Sequence, residues 1–215
     1  MAEMRSPACA LILCVVASVV LASELGCNKS AAGRLEPAAA AVTSIGHKPL
    51  QLLDLAGEPF DLWQIGAGRV SVVLFTRTDC PISNRLIPEV CHLHEVYHLR
   101  GVDFYFIYVD PHESPEDIRR HLQEYRVPCQ ALRDPRHDLA AYCQATITPE
   151  AIVFDKDEAI TYRGRVNDLY VDLGRPRAEP TTHDLADAIE ATVLGRPVSV
   201  PTTAAVGCKI EDLAY

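Results

Sequence analysis

Two apolar segments, each followed by an amphipathic one, indicate the fold class of this chain. Residues 69–75 (RVSVVLF) and 102–109 (VDFYFIYV) are rich in β-branched and aromatic side chains, as expected of strands buried on both faces. Between them, residues 84–99 place apolar side chains on one helical stripe, and Gly101 stands where a helix would end. Strands joined through helices need crossover connections, so the pattern predicts an α/β fold with a mostly parallel central sheet.

Further patterns extend this prediction towards both edges of the sheet. Ser114, followed by Pro115 and acidic residues, indicates the start of a second helix. A hairpin of residues 150–155 and 159–163 would add antiparallel strands at one edge and make the sheet mixed. The other predicted elements are a short helix over 138–144 and a final helix over 182–194, opened by the capping-box-like pair Thr181 and Asp184 and closed by Gly195.

The first 27 residues have the features of an export signal. An apolar run over residues 8–22 follows Arg5 and is shorter than the roughly 20 residues of a membrane-spanning helix. Gly26-Cys27 and the polar residues after it resemble a bacterial lipoprotein box, which predicts membrane attachment through a lipidated Cys27. A plain cleaved signal and an uncleaved anchor are the alternatives. We expect an exported protein, either periplasmic or anchored on the outer side of the membrane as a lipoprotein.

The rest of the chain divides into three parts. Residues 28–48 are small, alanine-rich and aperiodic, which is typical of a flexible tether. Residues 49–197 suffice for one domain with its own core, and residues 198–215 form a C-terminal tail. The formal net charge of −9 argues against a nucleic-acid partner, because such a partner calls for a basic face.

Cys80 stands where the first apolar strand gives way to the first helix. Its thiol would therefore lie near unsatisfied backbone N–H groups and the positive end of the helix dipole. Such surroundings lower a thiol pKa from about 8.5 to roughly 3.5–7.5. Pro81 removes one N–H donor at a position where the helix does not need it. The pattern predicts that Cys80 is a nucleophilic thiolate at neutral pH.

Short motifs around this cysteine and beyond it resemble one family. The segments DCPISN, TPEAIVFD, YRGRVND and AVGCKI are similar to those of exported redoxin proteins grouped with the alkyl hydroperoxide reductase and thiol-specific antioxidant proteins. The resemblance covers residues 50–212. It implies a thioredoxin-like fold, with a central mixed sheet flanked by helices, and an oxidoreductase or antioxidant activity centred on Cys80. No cofactor is predicted.

The resemblance also implies roles for residues near Cys80. Pro149 would be a cis-proline facing the cysteine, with Thr148 beside it, so that the backbone there is presented to an extended substrate. The other predicted substrate-binding residues are Arg77, Thr78 and Pro81.

Two departures from the family pattern bear on the chemistry. Thioredoxins carry a second cysteine three positions after the first; Ser83 at that position cannot close a disulfide, although it can hydrogen-bond the thiolate. Peroxiredoxins carry a threonine three positions before the cysteine and an arginine near a later strand. Here Arg77 occupies the first position and Thr148-Pro149 falls at the second. Peroxide reduction would therefore require Arg77 or Arg163 to polarise the peroxide.

The predicted resolving thiol is Cys208 in the C-terminal tail. Gly207 before it gives the backbone freedom for a close approach to another segment. A structurally paired or exposed thiol is the alternative for Cys208. Cys91 is predicted to pack in the core, and Cys129 and Cys143 are available to form a structural disulfide in an oxidising compartment.

These observations predict an exported thiol-disulfide oxidoreductase that uses Cys80 on a protein or small-molecule disulfide or peroxide and needs a separate thiol reductant. Peroxide reduction by the same cysteine and a non-enzymatic module that binds copper or a partner protein are the alternatives. Cys91, His94 and His98 have the spacing of metal ligands on a helix. Their place beside its apolar face favours packing instead, and no metal site is predicted.

Overall fold

A computed structural model describes residues 51–63 and 68–210 of the chain. The predicted signal segment with Cys27 and the predicted tether over 28–48 lie outside the described residues. No helix of the described part combines the length and the apolar character needed to cross a membrane.

A seven-stranded mixed sheet forms the centre of the fold, in the order β2-β1-β5-β4-β3-β7-β8. Its strands are β1 (Leu52–Leu53), β2 (Pro59–Phe60), β3 (Val70–Thr76), β4 (Val102–Tyr108), β5 (Gln130–Arg133), β7 (Glu150–Phe154) and β8 (Ile160–Gly164). The central strands β3, β4 and β5 are parallel, whereas β7 and β8 at one edge and β1 and β2 at the other are antiparallel to their neighbours. The predicted α/β fold with a mixed sheet is therefore confirmed.

In the described part of the chain, two short ladders lie outside the main sheet. One pairs β9 (Tyr170–Asp172) with β10 (Arg175–Pro176), and the other pairs β6 (Ile147–Thr148) with β11 (Cys208–Lys209). The second ladder matters most for function, because it joins the segment before β7 to the C-terminal tail. The sequence patterns predicted neither ladder, since each contributes only two or three residues per strand.

The helices that lie wholly within the described residues and pack against the sheet are α1 (Pro81–Tyr97), α2 (Pro115–Glu124), α3 (Asp138–Cys143) and α4 (Asp184–Val193). After α1 a short 3₁₀ turn ends at Gly101, whose φ of 86° favours glycine. Ser114 caps α2 as predicted, because its hydroxyl accepts a hydrogen bond from the backbone N–H of Asp117 at 3.1 Å.

The start of α4 differs from the prediction. Thr181 does not cap the helix; its hydroxyl and backbone N–H both donate to the carboxylate of Asp168. Thr182 also donates its N–H to Asp168, and His183 becomes the N-cap residue without a side-chain hydrogen bond. The buried Asp168 thus ties the β9–β10 region to the start of α4, a long-range contact that outweighs the local capping pattern.

The strands send alternate side chains to two apolar clusters on opposite faces of the sheet. The first face carries Val72 and Leu74 of β3 together with apolar residues of α1, α2 and α4. The second face carries Val73 and Phe75 together with apolar residues of α3. Cys80 belongs to the first cluster and lies on that face, at the carboxyl end of β3.

Candidate functional site

Cys80 is the N-cap residue of α1 and is fully buried. β3 ends at Thr76, four residues before it, and the chain then turns so that the Cys80 carbonyl accepts the first helical hydrogen bond from Asn84 N at 3.0 Å. The Cys80 thiol donates to the backbone carbonyl of Thr148 at 3.1 Å. The predicted junction is confirmed, and it holds the sulfur directly against the segment before β7.

Neighbouring elements fix the loop that leads to Cys80. Asn84 of α1 donates its side-chain amide to the Thr78 carbonyl at 2.9 Å, and the Thr78 N–H donates to the buried carboxyl of Glu113. His121 of α2 bonds to Asn84 Oδ1 at 2.8 Å through one ring nitrogen and to the hydroxyl of Tyr108 at 2.9 Å through the other. Through this chain of contacts, α2 and β4 position the approach to the cysteine.

Sequence reasoning missed most of that network. The DCPISN motif, which contains Asn84, resembles a family, but the motif does not indicate the role of the Asn84 amide. Glu113, His121 and Tyr108 were not singled out, because Asn84 and His121 are 37 positions apart and no local pattern links them. Burial raises the pKa of the Glu113 carboxyl, and the hydrogen bond from Thr78 offsets part of that effect.

Thr148 and Pro149 lie at the other side of the sulfur. The Thr148–Pro149 peptide bond is cis, as the family resemblance implied. Thr148 is fully buried, its carbonyl accepts from Cys80, and its hydroxyl donates to the Cys208 carbonyl at 3.4 Å. One residue therefore contacts both the predicted nucleophile and the predicted resolving residue.

Cys208 pairs with Thr148 across the β6–β11 ladder, and Lys209 pairs with Ile147. Gly207 makes this approach feasible: a Cβ placed on it would lie 2.0 Å from the Thr148 carbonyl oxygen and 2.6 Å from the carbonyl carbon. Since the obstructing atoms belong to the backbone, no rotamer change can make room. The tight approach predicted at Gly207 is observed, but its cause is the lack of space for a side chain rather than the freedom of the backbone.

The tail is attached to the domain at two places. Upstream, the Arg163 N–H donates to the Pro201 carbonyl at 2.9 Å and Thr203 N donates back to the Arg163 carbonyl at 3.0 Å. Downstream, Ile210 is buried in the second apolar cluster and its N–H donates to the Thr146 carbonyl at 3.0 Å. Residues 204–206 link the two attachments.

The pKa values of the two thiols are shifted in opposite directions. Burial alone would raise the pKa of Cys80, but hydrogen bonding from Cys208 and from the hydroxyl and N–H of Ser83 outweighs it and lowers the pKa below its ordinary value. Burial, together with the hydrogen bond to Cys80 and the charge of that residue, raises the pKa of Cys208 to about 12. Of this pair, Cys80 is therefore the first to become a thiolate.

Ser83 and Pro81 occupy the first turn of α1. The Ser83 hydroxyl is buried and makes no hydrogen bond of standard geometry within the described residues. It lies beside the Cys80 sulfur, where it favours the thiolate. Pro81 opens the helix at a position where its missing N–H leaves no bond unmade.

The two arginines considered for peroxide binding are engaged elsewhere. Arg77 forms ion pairs at 3.1 Å with Asp79 and with Asp110. Arg163 lies opposite Ile152, a residue of the second apolar cluster, and its guanidinium donates to the side chain of Gln144 at 3.1 Å. Arg163 therefore points to the face of the sheet away from Cys80, so it is not placed to substitute for a peroxide-binding arginine.

The other three described cysteines do not join this site. Cys129 belongs to the first apolar cluster and Cys143 to the second, so the sheet separates them and the suggested disulfide between them is wrong. Cys91 is half-buried against the first cluster, and burial raises its pKa to about 11. Sequence spacing gave no information on which face of the sheet each thiol occupies.

The predicted packing role of the histidines beside Cys91 agrees with their contacts. The ring of His94 stacks on that of His98 with centroids 4.8 Å apart and meets Phe104 edge-on at 5.5 Å. Within residues 51–63 and 68–210, no group of three or more His, Cys, Asp or Glu side chains has the arrangement of a metal site.

Comparison with known proteins adds a family and a fold. The model of the Redoxin family matches residues 31–173, a segment that includes Cys80 and Pro149 and ends before the tail. A search of curated protein sequences found no match.

Three solved structures illustrate the structural likeness. An uncharacterized conserved protein from Geobacillus kaustophilus is 27% identical, with a TM-score of 0.67 over 78% of this chain and 90% of that one. A hypothetical protein from Sinorhizobium meliloti is 21% identical, with a TM-score of 0.68 over 78% and 93%. A thiol:disulfide interchange protein of the thioredoxin family from Chlorobium tepidum is 16% identical, with a TM-score of 0.50 over 68% and 96%. These likenesses support a thioredoxin-like fold.

Proposed function

The chain belongs to the Redoxin family and has a thioredoxin-like fold, and on that basis we propose that it is a thiol-disulfide oxidoreductase with Cys80 as nucleophile and Cys208 as resolving thiol. One observation carries the proposal. The carbonyl of Thr148 accepts from the Cys80 thiol, and the same residue pairs with Cys208 across the β6–β11 ladder. Two thiols brought together by elements 128 positions apart in the sequence (208 minus 80) form a pair suited to reversible disulfide formation.

The first step is attack on a substrate disulfide. The Cys80 thiolate forms a bond to one substrate sulfur while the substrate S–S bond breaks, and the other substrate sulfur leaves as a thiolate that takes up a proton. The product is a mixed disulfide between Cys80 and the substrate. Ser83 and the start of α1 favour this step because they stabilise the attacking thiolate.

The second step releases the substrate. The Cys208 thiolate attacks the Cys80 sulfur, the mixed disulfide breaks, and the second substrate thiol departs as a Cys80–Cys208 disulfide forms. Burial is the larger cause of the high pKa of Cys208, and the hydrogen bond to Cys80 and the charge of that residue add to it. The hydrogen bond to Cys80 and the effect of its charge disappear once Cys80 is in a mixed disulfide. The pKa of Cys208 therefore falls at this stage, and Cys208 deprotonates more readily.

The net reaction reduces the substrate by two electrons and oxidises the enzyme dithiol. A separate thiol reductant then exchanges with the Cys80–Cys208 disulfide and restores both thiols. The same exchange in the opposite direction introduces a disulfide into a dithiol substrate. Within the proposal, the surroundings of Cys80 are shaped by Thr78, Arg77 and Pro81. The backbone edge beside Cys80 is supplied by Thr148 and Pro149.

The contacts of Arg77 and Arg163 favour disulfide exchange over peroxide reduction. Peroxide reduction needs donors that polarise the peroxide next to the thiolate, yet Arg77 is paired with Asp79 and Asp110, and Arg163 points to the opposite face.

We include export in the proposal, with lipidation of Cys27, on the strength of the N-terminal sequence alone. The mass of the mature N-terminal peptide, isolated from the membrane fraction, tests that part.

The proposed reaction is tested with the full-length protein and oxidised glutathione. Acid quenching at timed intervals, followed by mass spectrometry, measures each disulfide species. The wild-type protein should pass through a glutathione adduct on Cys80 to a Cys80–Cys208 disulfide. Cys208→Ala should stop at the adduct, Cys80→Ala should form no such adduct at this site, and Cys91→Ala should behave as wild type.

Other outcomes contradict the proposal. If Cys208→Ala resolves its adduct as fast as wild type, Cys208 is not the resolving thiol. If Cys80 reacts with hydrogen peroxide far faster than with glutathione disulfide, and the peroxide product is a sulfenic acid, the enzyme is a peroxide reductase. If Cys80 reacts with neither, the protein is a binding module.

A further inference from the structure

The tail occupies the edge at which an extended substrate would pair. β6 consists of Ile147–Thr148, and its partner in the structure is β11 of the same chain. Cys208 therefore stands where the cysteine of a bound segment would stand, opposite Thr148 and against Cys80. We propose that the sequence Gly207-Cys208-Lys209-Ile210 is an internal copy of the segment that this site recognises in a partner protein. This inference rests on the proposed function and specifies its substrate class.

The position before the cysteine accepts only glycine. A Cβ at Gly207 would approach within 2.0 Å of the Thr148 carbonyl oxygen and 2.8 Å of Ile147 Cγ2. A partner segment in the same register meets the same backbone atoms. Any side chain there would push the segment away from β6 and carry its sulfur away from Cys80.

The second position after the cysteine favours a branched aliphatic residue. Ile210 is only 7% exposed, packs in the second apolar cluster, and donates its N–H to the Thr146 carbonyl at 3.0 Å. Lys209 between them is exposed and makes no hydrogen bond or ion pair through its side chain with the described residues, so its position tolerates any side chain. The recognised segment is accordingly extended, with glycine, cysteine, any residue and an aliphatic residue in that order.

A partner segment and β11 cannot occupy the edge together. Cys80 is fully buried and Cys208 lies against it, so β11 must leave before a partner sulfur can reach Cys80. The upstream attachment of Pro201 and Thr203 to β8 keeps the displaced tail beside the site. Residues 204–206, exposed or half-exposed, provide the hinge. After the first exchange the tail returns and Cys208 resolves the mixed disulfide.

The test uses activated peptides and the full-length protein. Each peptide carries its cysteine as a mixed disulfide with 5-thio-2-nitrobenzoate, whose release is followed by absorbance in a stopped-flow instrument. The reference peptide contains Gly-Cys-Lys-Ile, and two matched peptides contain Val-Cys-Lys-Ile and Gly-Cys-Lys-Asp. Reaction of each peptide with free glutathione corrects for intrinsic reactivity, and the symmetric reagent 5,5′-dithiobis(2-nitrobenzoate) reports the reactivity of Cys80 without a peptide.

We expect the reference peptide to react with Cys80 at least tenfold faster than either matched peptide after correction. Ile210→Ala, which weakens the docking of the tail, should speed the reaction of the reference peptide several-fold, whereas Val200→Ala, an exposed aliphatic position upstream, should not. Equal corrected rates for the three peptides would overturn the recognition sequence and leave the proposed exchange reaction intact. If Cys80 is inert towards all peptides and towards the symmetric reagent as well, the proposed function fails.

Discussion

Replacing Gly207 by alanine tests how closely the tail must approach β6. The added Cβ would lie 2.0 Å from the Thr148 carbonyl oxygen, and ordinary contact begins near 3.4 Å, so the tail must withdraw by about 1.4 Å. The hydrogen bonds from Ile210 N to Thr146 O, at 3.0 Å, and from the Thr148 hydroxyl to the Cys208 carbonyl, at 3.4 Å, then exceed bonding distance.

Each of these hydrogen bonds contributes about 1 kcal/mol net, so the docked tail loses about 2 kcal/mol. Because 1.4 kcal/mol is a factor of ten in an equilibrium constant, the equilibrium constant for docking falls roughly 30-fold. In the mixed disulfide, where the tail has been displaced and must dock again, the population able to react falls by the same factor. Partial exposure of Ile210 adds to this loss. We therefore expect the step from mixed disulfide to Cys80–Cys208 disulfide to slow at least 30-fold in Gly207→Ala.

The assay isolates that step. The protein is mixed with excess glutathione disulfide, quenched with acid at intervals, and the decay of the Cys80 adduct is fitted to a single rate constant. Val200→Ala is the matched control, since it alters an exposed residue of the same tail upstream of the hinge. A rate for Gly207→Ala within twofold of wild type would refute the reasoning, because it would mean that resolution does not require the observed pairing of Cys208 with Thr148.

Two further predictions concern protonation. Cys208→Ala should raise the pKa of Cys80, because it removes a hydrogen bond that favours the thiolate. The pH profile of alkylation by iodoacetamide would then shift to higher pH. An unchanged profile would exclude this contact. The second prediction concerns Asp168, whose pKa is held well below its ordinary value by hydrogen bonds from Thr181 and Thr182. The ionised carboxylate therefore stabilises the fold fully above about pH 4, which is the pKa of the group in the unfolded chain. This stabilisation disappears as the pH falls through the lower pKa of the folded state. Asp168→Asn should melt below wild type at pH 6, with a gap that narrows at pH 2.5; a pH-independent gap measured by circular dichroism would contradict this.

The order of the central elements could be predicted because each one carries its own pattern. β3 and β4 are long apolar runs, α1 has a continuous apolar stripe, and Ser114 caps α2 through residues next to it in sequence. β5 was missed because it has four residues, of which only Ala131 and Leu132 are buried, and so short a run has no pattern that distinguishes it from a loop.

The site could be predicted only in part, for a related reason. Cys80 and Pro149 stand in recognisable local motifs, and Cys208 was identified as a thiol without another evident purpose. The contacts of Asn84 with His121 and of Thr181 with Asp168 join segments distant in sequence, so neither pattern nor spacing indicates them. Arg163 was considered as a substitute for the peroxide-binding arginine because the sequence does not show which face it occupies. That face depends on the register of β8 against β7, which is a property of the assembled sheet.

The attachment of Thr203 to β8 also sets the concentration at which Cys208 meets its target. Cys208 is five positions after Thr203, and at roughly 3.4 Å per residue this segment reaches at most about 17 Å. A thiol confined to a sphere of that radius has an effective concentration on the order of 0.1 M. An external thiol that is to intercept the mixed disulfide before Cys208 would need a comparable concentration, corrected for the acidity of each thiol. The short linker therefore favours completion of the exchange within one molecule over escape of the intermediate.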